Sequence, residues 1–323
     1  MPKNRKYFRH NNCILATSRT EEGLPFVASL VMNILIWGIL AKARSMYKIK
    51  VCHALFMANH FHMLLVVDNP EHVSEFIRYV KCETAHAVNR LLGRRRKTIW
   101  LEGSDTPILL TADNVIRYIV YIYLNPVKAN LVERIEDYPG ISTWKMFFTG
   151  RTKQSHKKIP RAAIKQLPFA ALNIREQELL QREYLEVMCK SFEFILEPYA
   201  WLESFPELQG TDLEQIRAEI ITRVREEERE CASKRQAEQK FVAGPSALRK
   251  QSMLKEHTPK KHSMRMICVS SDIGLRKQFI STYRSLCKIA EEVYLRWKLG
   301  DLKWQIPPGL VSPKLPTLVS AIT

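Results

Sequence analysis

The stretch KIKVCHALFMANHFHMLLVV, Lys48 to Val67, leaves its backbone little choice. Two apolar runs flank Met57, Ala58 and Asn59, a connection too short for anything but a hairpin, and they predict strands over residues 50–56 and 60–67. In a strand, residues i and i+2 share a face. His60 and His62 therefore project side by side from a sheet, an arrangement suited to holding a cation.

The neighbouring segments extend this hairpin into a domain. Residues 11–20 read as a strand, and residues 27–47, apolar nearly all round, as a helix buried against a sheet. Pro70 and the acidic EHVSEF open a second helix to about residue 92, with Phe76, Ile77, Val80, Ala87 and Val88 on its inward face. RRRKTIW is a basic turn into a short strand around Ile99 and Trp100, and TADNVIRYIVYIYLNPVKANLV is a third helix. Thr111 or Asp113 caps that helix, and Pro126 should stop or bend it. The order strand, helix, strand, strand, helix, strand, helix predicts an α+β class. Its first part is the βαββα portion of a ferredoxin-like sandwich, with helices on one sheet face and the other face free for a ligand.

Past Tyr138 the character changes. Residues 147–168 are basic and rich in turn formers, and they predict a linker between a domain at 1–146 and a mainly helical, basic region at 169–323. Within that region residues 173–195 and 211–239 read as helices, the second so charged that it should be solvated or face a partner. A final helix over about residues 275–299 precedes a proline-rich tail.

Charge names the partner class. A formal net charge of +17 exceeds what solubility needs and predicts a polyanion, nucleic acid first and an anionic membrane surface second. The seven cysteines are odd in number and scattered without a CxxC pair, which argues against a disulfide scaffold and a cysteine zinc site. The longest apolar stretch, residues 27–43, is interrupted by Asn33 and falls short of the roughly 20 residues of a membrane span. The opening MPKNRKYFRHNN has no apolar signal region, so a cytoplasmic protein with no membrane partner is expected.

Two imidazoles alone make a weak metal site, because zinc wants a third or fourth protein ligand and Mg²⁺ prefers oxygen. The third helix offers more. Tyr121 and Asn125 are four residues apart and so share a face. A phenol, with a pKa of about 10, needs activation to act as a nucleophile. A divalent ion on His60, His62 and the Asn125 oxygen would polarise a phosphodiester for attack by Tyr121. Tyr118, three residues earlier, is the rival nucleophile, whereas Tyr123 points elsewhere. His53 reads as a core or supporting histidine rather than a third ligand.

At these residues the chain resembles a known family. NHFHMLLVV looks like the HUH motif of the IS200-like single-tyrosine transposases, and YIYLNPVKANLV resembles the tyrosine motif of their REP-associated branch. Asn59 before the histidines, the Ile99–Trp100 pair and EDYPGISTW are further likenesses, although Gly140 and Ile141 stand where the family shows tryptophan and serine. The resemblance covers roughly residues 5–146 and implies a ferredoxin-like nuclease that cuts and rejoins single-stranded or hairpin DNA through a 5′-phosphotyrosine. It implies Tyr121 as nucleophile, His60 and His62 as metal ligands with Asn125 as a helper, and Mg²⁺ or Mn²⁺ as the ion. In the family the site is built within one chain or across a dimer; a monomer is favoured here over a homodimer.

Beside such a site, Arg94, Arg95, Arg96 and Lys97 read as a phosphate clamp, continued by Arg78, Lys81 and Arg90 on the preceding helix. Trp100 reads as core before base-stacking platform. Competing functions are a retired relative that only binds structured DNA repeats and an RNA-binding module. The latter would need aromatics exposed on the central strands, where the sequence offers only Phe61, expected to face the core.

Overall fold

The structure, a computed structural model, describes residues 5–95, 97–166, 172–257 and 266–316. Strands β1 (Cys13–Arg19), β2 (Ile49–Phe56) and β3 (His60–Val67) pair antiparallel with β3 in the middle, Phe56 facing Phe61 across the predicted hairpin. A short β4 (Ile108–Leu109) joins the far side of β1 antiparallel, and β7 (Cys268–Val269) lies parallel to β4. The sheet order is β2-β3-β1-β4-β7. Sequence places the fourth strand at Ile99 and Trp100; there the structure has only a single bridge from Trp100 to Thr20, and the strand comes at β4.

Helices lie on both faces of this sheet. Helix α1 (Leu30–Met46) begins where Ser29 Oγ accepts the Met32 N–H at 3.2 Å, and α2 (Pro70–Leu91) where Asn69 Oδ1 accepts from Glu71 at 2.9 Å with Pro70 in the first turn. They cover the face towards which Phe61 points. Phe61 meets Trp100 with ring centroids 5.2 Å apart, and the Trp100 Nε1–H donates to Thr84 of α2 at 3.0 Å. Trp100 also stacks on Phe26 at 4.6 Å, so it is core.

Helix α3 (Ala112–Lys128), capped by Thr111, lies across the opposite face, where the buried Tyr123 meets His53 of β2. The expectation of a free sheet face is therefore corrected. The apolar stripe Val115, Ile119, Ile122 and Tyr123 could be buried only against that face. Pro126 does not stop this helix, which runs two residues further. A proline in the last turn removes only the bond to the Ile122 carbonyl, and the ladder continues past it with the Ala129 N–H on the Asn125 carbonyl at 3.1 Å.

Of the basic segment expected as a linker, residues 147–166 are described and structured: they finish α4 (Trp144–Phe148) and form β5 (Lys153–Lys157), and Ile159 and Ile164 are buried. After α5 (Ile174–Glu186) the chain does not continue helical to residue 195: Ser191–Ile195 forms β6, antiparallel to β5. The alternation of SFEFI explains the strand, with Phe194 buried against Trp37 of α1. Backbone meets backbone at Gly38, where any Cβ would collide with the Lys157 carbonyl. Glu83 of α2 anchors the same segment, 2.8 Å from Lys158 and hydrogen-bonded to Arg161.

The charged α6 (Leu213–Ala237) is neither fully solvated nor waiting for a partner. Ile216, Ile220 and Val224 pack it onto α3, and ion pairs join Lys128 to Glu227 and Arg223 to Asp113. The buried Glu228 accepts the Ile135 N–H at 2.9 Å. Beyond α7 (Pro245–Arg249) and β7, α8 (Ile273–Lys298) sets Tyr283 and Phe279 against Tyr7. One connected core runs from Tyr7 to Leu310. No helix among the described residues is long and apolar enough to cross a membrane.

Candidate functional site

The register of β3 settles which way its histidines point. His62 pairs with Thr17 of β1 and Leu55 of β2, and His60 with Arg19, so the imidazoles project towards α3 while Phe61 between them is buried on the other side. The two rings lie 4.9 Å apart. Each Nδ1 is engaged: His60 Nδ1 donates to Asn59 Oδ1 at 2.7 Å, and His62 Nδ1 shares a hydrogen bond with Thr17 Oγ1 at 2.8 Å. These bonds fix ring orientation and leave Nε2 as the outward nitrogen of both imidazoles. His62 Nε2 is buried without a hydrogen-bond partner among the described residues.

Burial pushes His60 down to about 4, assisted by the charge of Arg19 and opposed by a hydrogen bond that the protonated ring gives to the Asn125 side chain. His62 is held well below the usual histidine range, by burial first and then by His60 and Arg19. At neutral pH both rings are neutral, the form that ligates metals.

Helix α3 brings the tyrosine to them. Tyr121 presents its ring edge-to-face to His62, centroids 5.3 Å apart, and is 37% exposed. Asn125, one turn on, donates from Nδ2 to the Tyr121 carbonyl at 2.8 Å and reaches His60 with the same side chain. The packing of α3 on the sheet thus brings His60, His62, Tyr121 and Asn125 together. Tyr118 stands 5.8 Å from Tyr121, half-buried, its phenol pushed up by burial and by its neighbour. Tyr123 is buried, its hydroxyl bonded to His53 Nδ1 at 2.6 Å and to Thr143 Oγ1 at 3.1 Å, so both belong to the core.

The donors fit a cation in part. No group of three or more His, Cys, Asp or Glu able to hold a metal occurs among the described residues. Two neutral imidazoles, one with an orphaned nitrogen, and the Asn125 carboxamide are what the chain offers.

The basic residues expected to grip a nucleic acid separate from this site. Arg78, Lys81 and Lys97 line a groove of about 420 Å³ with Lys6 and Trp100, on the α2 side of the sheet. Lys81 is tied to the Leu101 carbonyl at 2.8 Å, Arg90 to that of Ile164 at 2.6 Å, and Lys97 pairs with Glu22. Arg78 and Arg95 are exposed, Arg94 is half-buried, and Arg96 lies outside the described residues.

Three residues escaped the sequence reading. Arg19 stands opposite His60, Arg117 is exposed one turn before Tyr121, and His257 is carried near His60 by a bond from the Gly23 N–H to its carbonyl at 3.0 Å. Strand register would have found Arg19 and helical spacing Arg117; nothing local to residue 257 announces its position.

Comparison with known proteins adds a match over part of the chain. Residues 28–104 match the family model described as "Transposase IS200 like", a span that holds both histidines and stops before Tyr121. The resemblance read in the sequence is borne out over that part of the chain. No curated protein matches. Among solved structures, one described as "Structure of the REP associates tyrosine transposase bound to a REP hairpin" is 18% identical, over 46% of this chain and 86% of that one, at a TM-score of 0.39.

Proposed function

We propose that this chain, IS200-like over residues 28–104, is a transposase that cleaves and rejoins single-stranded or hairpin DNA through Tyr121. The observation that carries the reading is the meeting of Tyr121 and His62 at 5.3 Å from two separate elements. The order β2-β3-β1-β4, antiparallel throughout, supports a ferredoxin-like nuclease domain, which we assign to residues 1–146.

The phosphodiester enters between α3 and the histidine-bearing end of β3. Tyr121, exposed and held by its helix, presents its oxygen to phosphorus. The phenol gives up its proton, its oxygen bonds to phosphorus, and the bond from phosphorus to the 3′ oxygen breaks. That oxygen leaves with a proton, giving a 5′-phosphotyrosine and a free 3′-hydroxyl; rejoining reverses the same bonds. His60, His62 and the Asn125 oxygen would hold Mg²⁺ or Mn²⁺, with substrate oxygens completing the shell, and the ion would supply charge neutralisation at phosphorus. Thr17 and Asn59 keep the imidazoles turned to that task. The groove of Arg78, Lys81 and Lys97 takes the flanking strand by its phosphates.

The test is a covalent adduct. End-labelled single-stranded DNA carrying hairpins from the repeats beside the chain's own gene is incubated with Mn²⁺ or EDTA and run on a denaturing protein gel. A metal-dependent protein–DNA band that Tyr121→Phe abolishes is expected. Tight hairpin binding with no adduct from the unaltered protein would replace this reading with that of a retired, DNA-binding relative.

A further inference from the structure

We propose that Arg19 is a further catalytic residue of the Tyr121 site, its guanidinium seated on the non-bridging oxygens of the phosphate under attack. The proposal rests on the strand-transfer reading above.

Position comes first. Arg19 ends β1 directly opposite His60, and in a regular antiparallel register its side chain shares a face with Thr17, whose hydroxyl bonds His62. That face is the one α3 covers and Tyr121 adjoins. The backbone beneath is held from both sides: the Arg19 carbonyl accepts the Leu101 N–H at 2.9 Å, and the next residue, Thr20, donates to the Asn59 carbonyl at 2.8 Å. A long side chain on so fixed a base has a short arc to search, and the arc includes the space in front of the histidines.

Charge comes second. Several shielded arginines elsewhere in the molecule have counter-ions: Arg44 pairs with Glu197, Arg225 with Glu136 and Glu228, and the buried Arg235 with Glu133, while Arg90 is held by the Ile164 carbonyl. Among the described residues no carboxylate pairs with Arg19. It is a cation of intermediate exposure standing beside two imidazoles that its charge helps to keep neutral. A guanidinium so placed creates a standing demand for an anion in front of His60 and His62. The planar fork matches two phosphate oxygens, and those oxygens gain charge as Tyr121 attacks. The lysines of the groove cannot meet that need, since the groove lies on the α2 side of the sheet.

Single-turnover adduct formation by the full chain, with Mn²⁺ and hairpin DNA, tests the assignment. Arg19→Ala and Arg19→Lys are compared with the unaltered protein, each checked for an unchanged melting temperature. The substrates carry either a phosphate or a methylphosphonate at the cleaved linkage, the latter lacking one anionic oxygen. Arg19→Ala is expected to slow adduct formation about 100-fold on phosphate, the usual scale for a lost transition-state donor. DNA affinity should change only a few-fold and Arg19→Lys should recover part of the rate. On methylphosphonate the gap between alanine variant and unaltered protein should shrink below about 10-fold, because the anionic partner is gone. Equal rates on phosphate, or the same loss on both substrates, overturn the proposal while leaving the Tyr121 reading intact. No adduct from the unaltered protein overturns both.

Discussion

Tyr121 meets His62 edge to face, ring centroids 5.3 Å apart, across the gap between a helix and a sheet that have no sequence proximity. The contact sets a phenol beside a neutral imidazole within one chain. Tyr121→Phe keeps that ring contact and removes only the oxygen. Covalent adduct should vanish while hairpin affinity, read by gel shift, stays within a few-fold. Tyr118→Phe should leave the adduct in place.

His60→Ala and His62→Ala should each remove adduct formation as completely as chelation does, without loss of hairpin binding. Both imidazoles hold their Nδ1 atoms against Asn59 and Thr17, so Thr17→Val should weaken rather than abolish the reaction. Loss of an orienting partner costs metal sites on the order of 10–100-fold in affinity. Adduct yield against Mn²⁺ concentration should shift to higher concentration in that variant.

Acid should loosen the fold through its buried histidines. His53 falls from 6.5 to about 3, because burial disfavours its charged form. Between those values the unfolded chain binds a proton that the folded chain does not, so stability is complete above about 6.5 and falls as the pH is lowered. The slope is about 1.4 kcal/mol per pH unit for one such group. Urea unfolding at pH 7 and pH 5 should show this decline, and His53→Gln should make it shallower by about one proton.

Gly38 reverses the usual ranking of helix formers. Glycine to alanine inside a helix ordinarily gains up to about 1 kcal/mol. A Cβ at this position would collide with the Lys157 carbonyl, so Gly38→Ala should lower stability by about 1–3 kcal/mol in urea titrations. An unchanged or raised midpoint would mean that β5 does not lie against α1.

Glu83 tests the same contact from the other helix. Burial pushes its carboxyl up, yet hydrogen bonds from Arg161 and Lys158 outweigh this and hold it below the usual range. Lys158 and Glu83 are almost fully buried, 2.8 Å apart. Lys158→Met should cost about 3 kcal/mol, because a buried carboxylate loses one of its two cations. Adduct formation by the folded fraction should be unaffected, since the pair lies on the α2 side of the sheet.

Local periodicity carried the hairpin and the long helices, and the family resemblance singled out His60, His62, Tyr121 and Asn125. His60 and His62 obey the two-residue repeat of a strand, and Tyr121 and Asn125 the turn of a helix; both rules are local, so a sequence displays them. The sheet face covered by α3, the strand at 191–195 and the seating of α6 were less legible. Each depends on which surfaces meet, as when Ile216, Ile220 and Val224 find α3 although the helix bearing them reads as solvated. Arg19 was hidden for the same reason. Its importance appears only when β1 and β3 are set in register, and an arginine at a strand end is otherwise unremarked.

The outer edge of β4 is closed by β7, whose residues 268–269 come from far along the chain. During synthesis Ile108 and Leu109 leave the ribosome long before Cys268 and Val269 exist. Their backbone groups stay open for that whole interval, a ready template for pairing with another nascent chain. α3 follows β4 directly but is seated on β2 and β3, which are made before it. The sheet of a nascent chain therefore stays open at β4 until residues 268–269 emerge, and its last edge is covered by one of the last segments made.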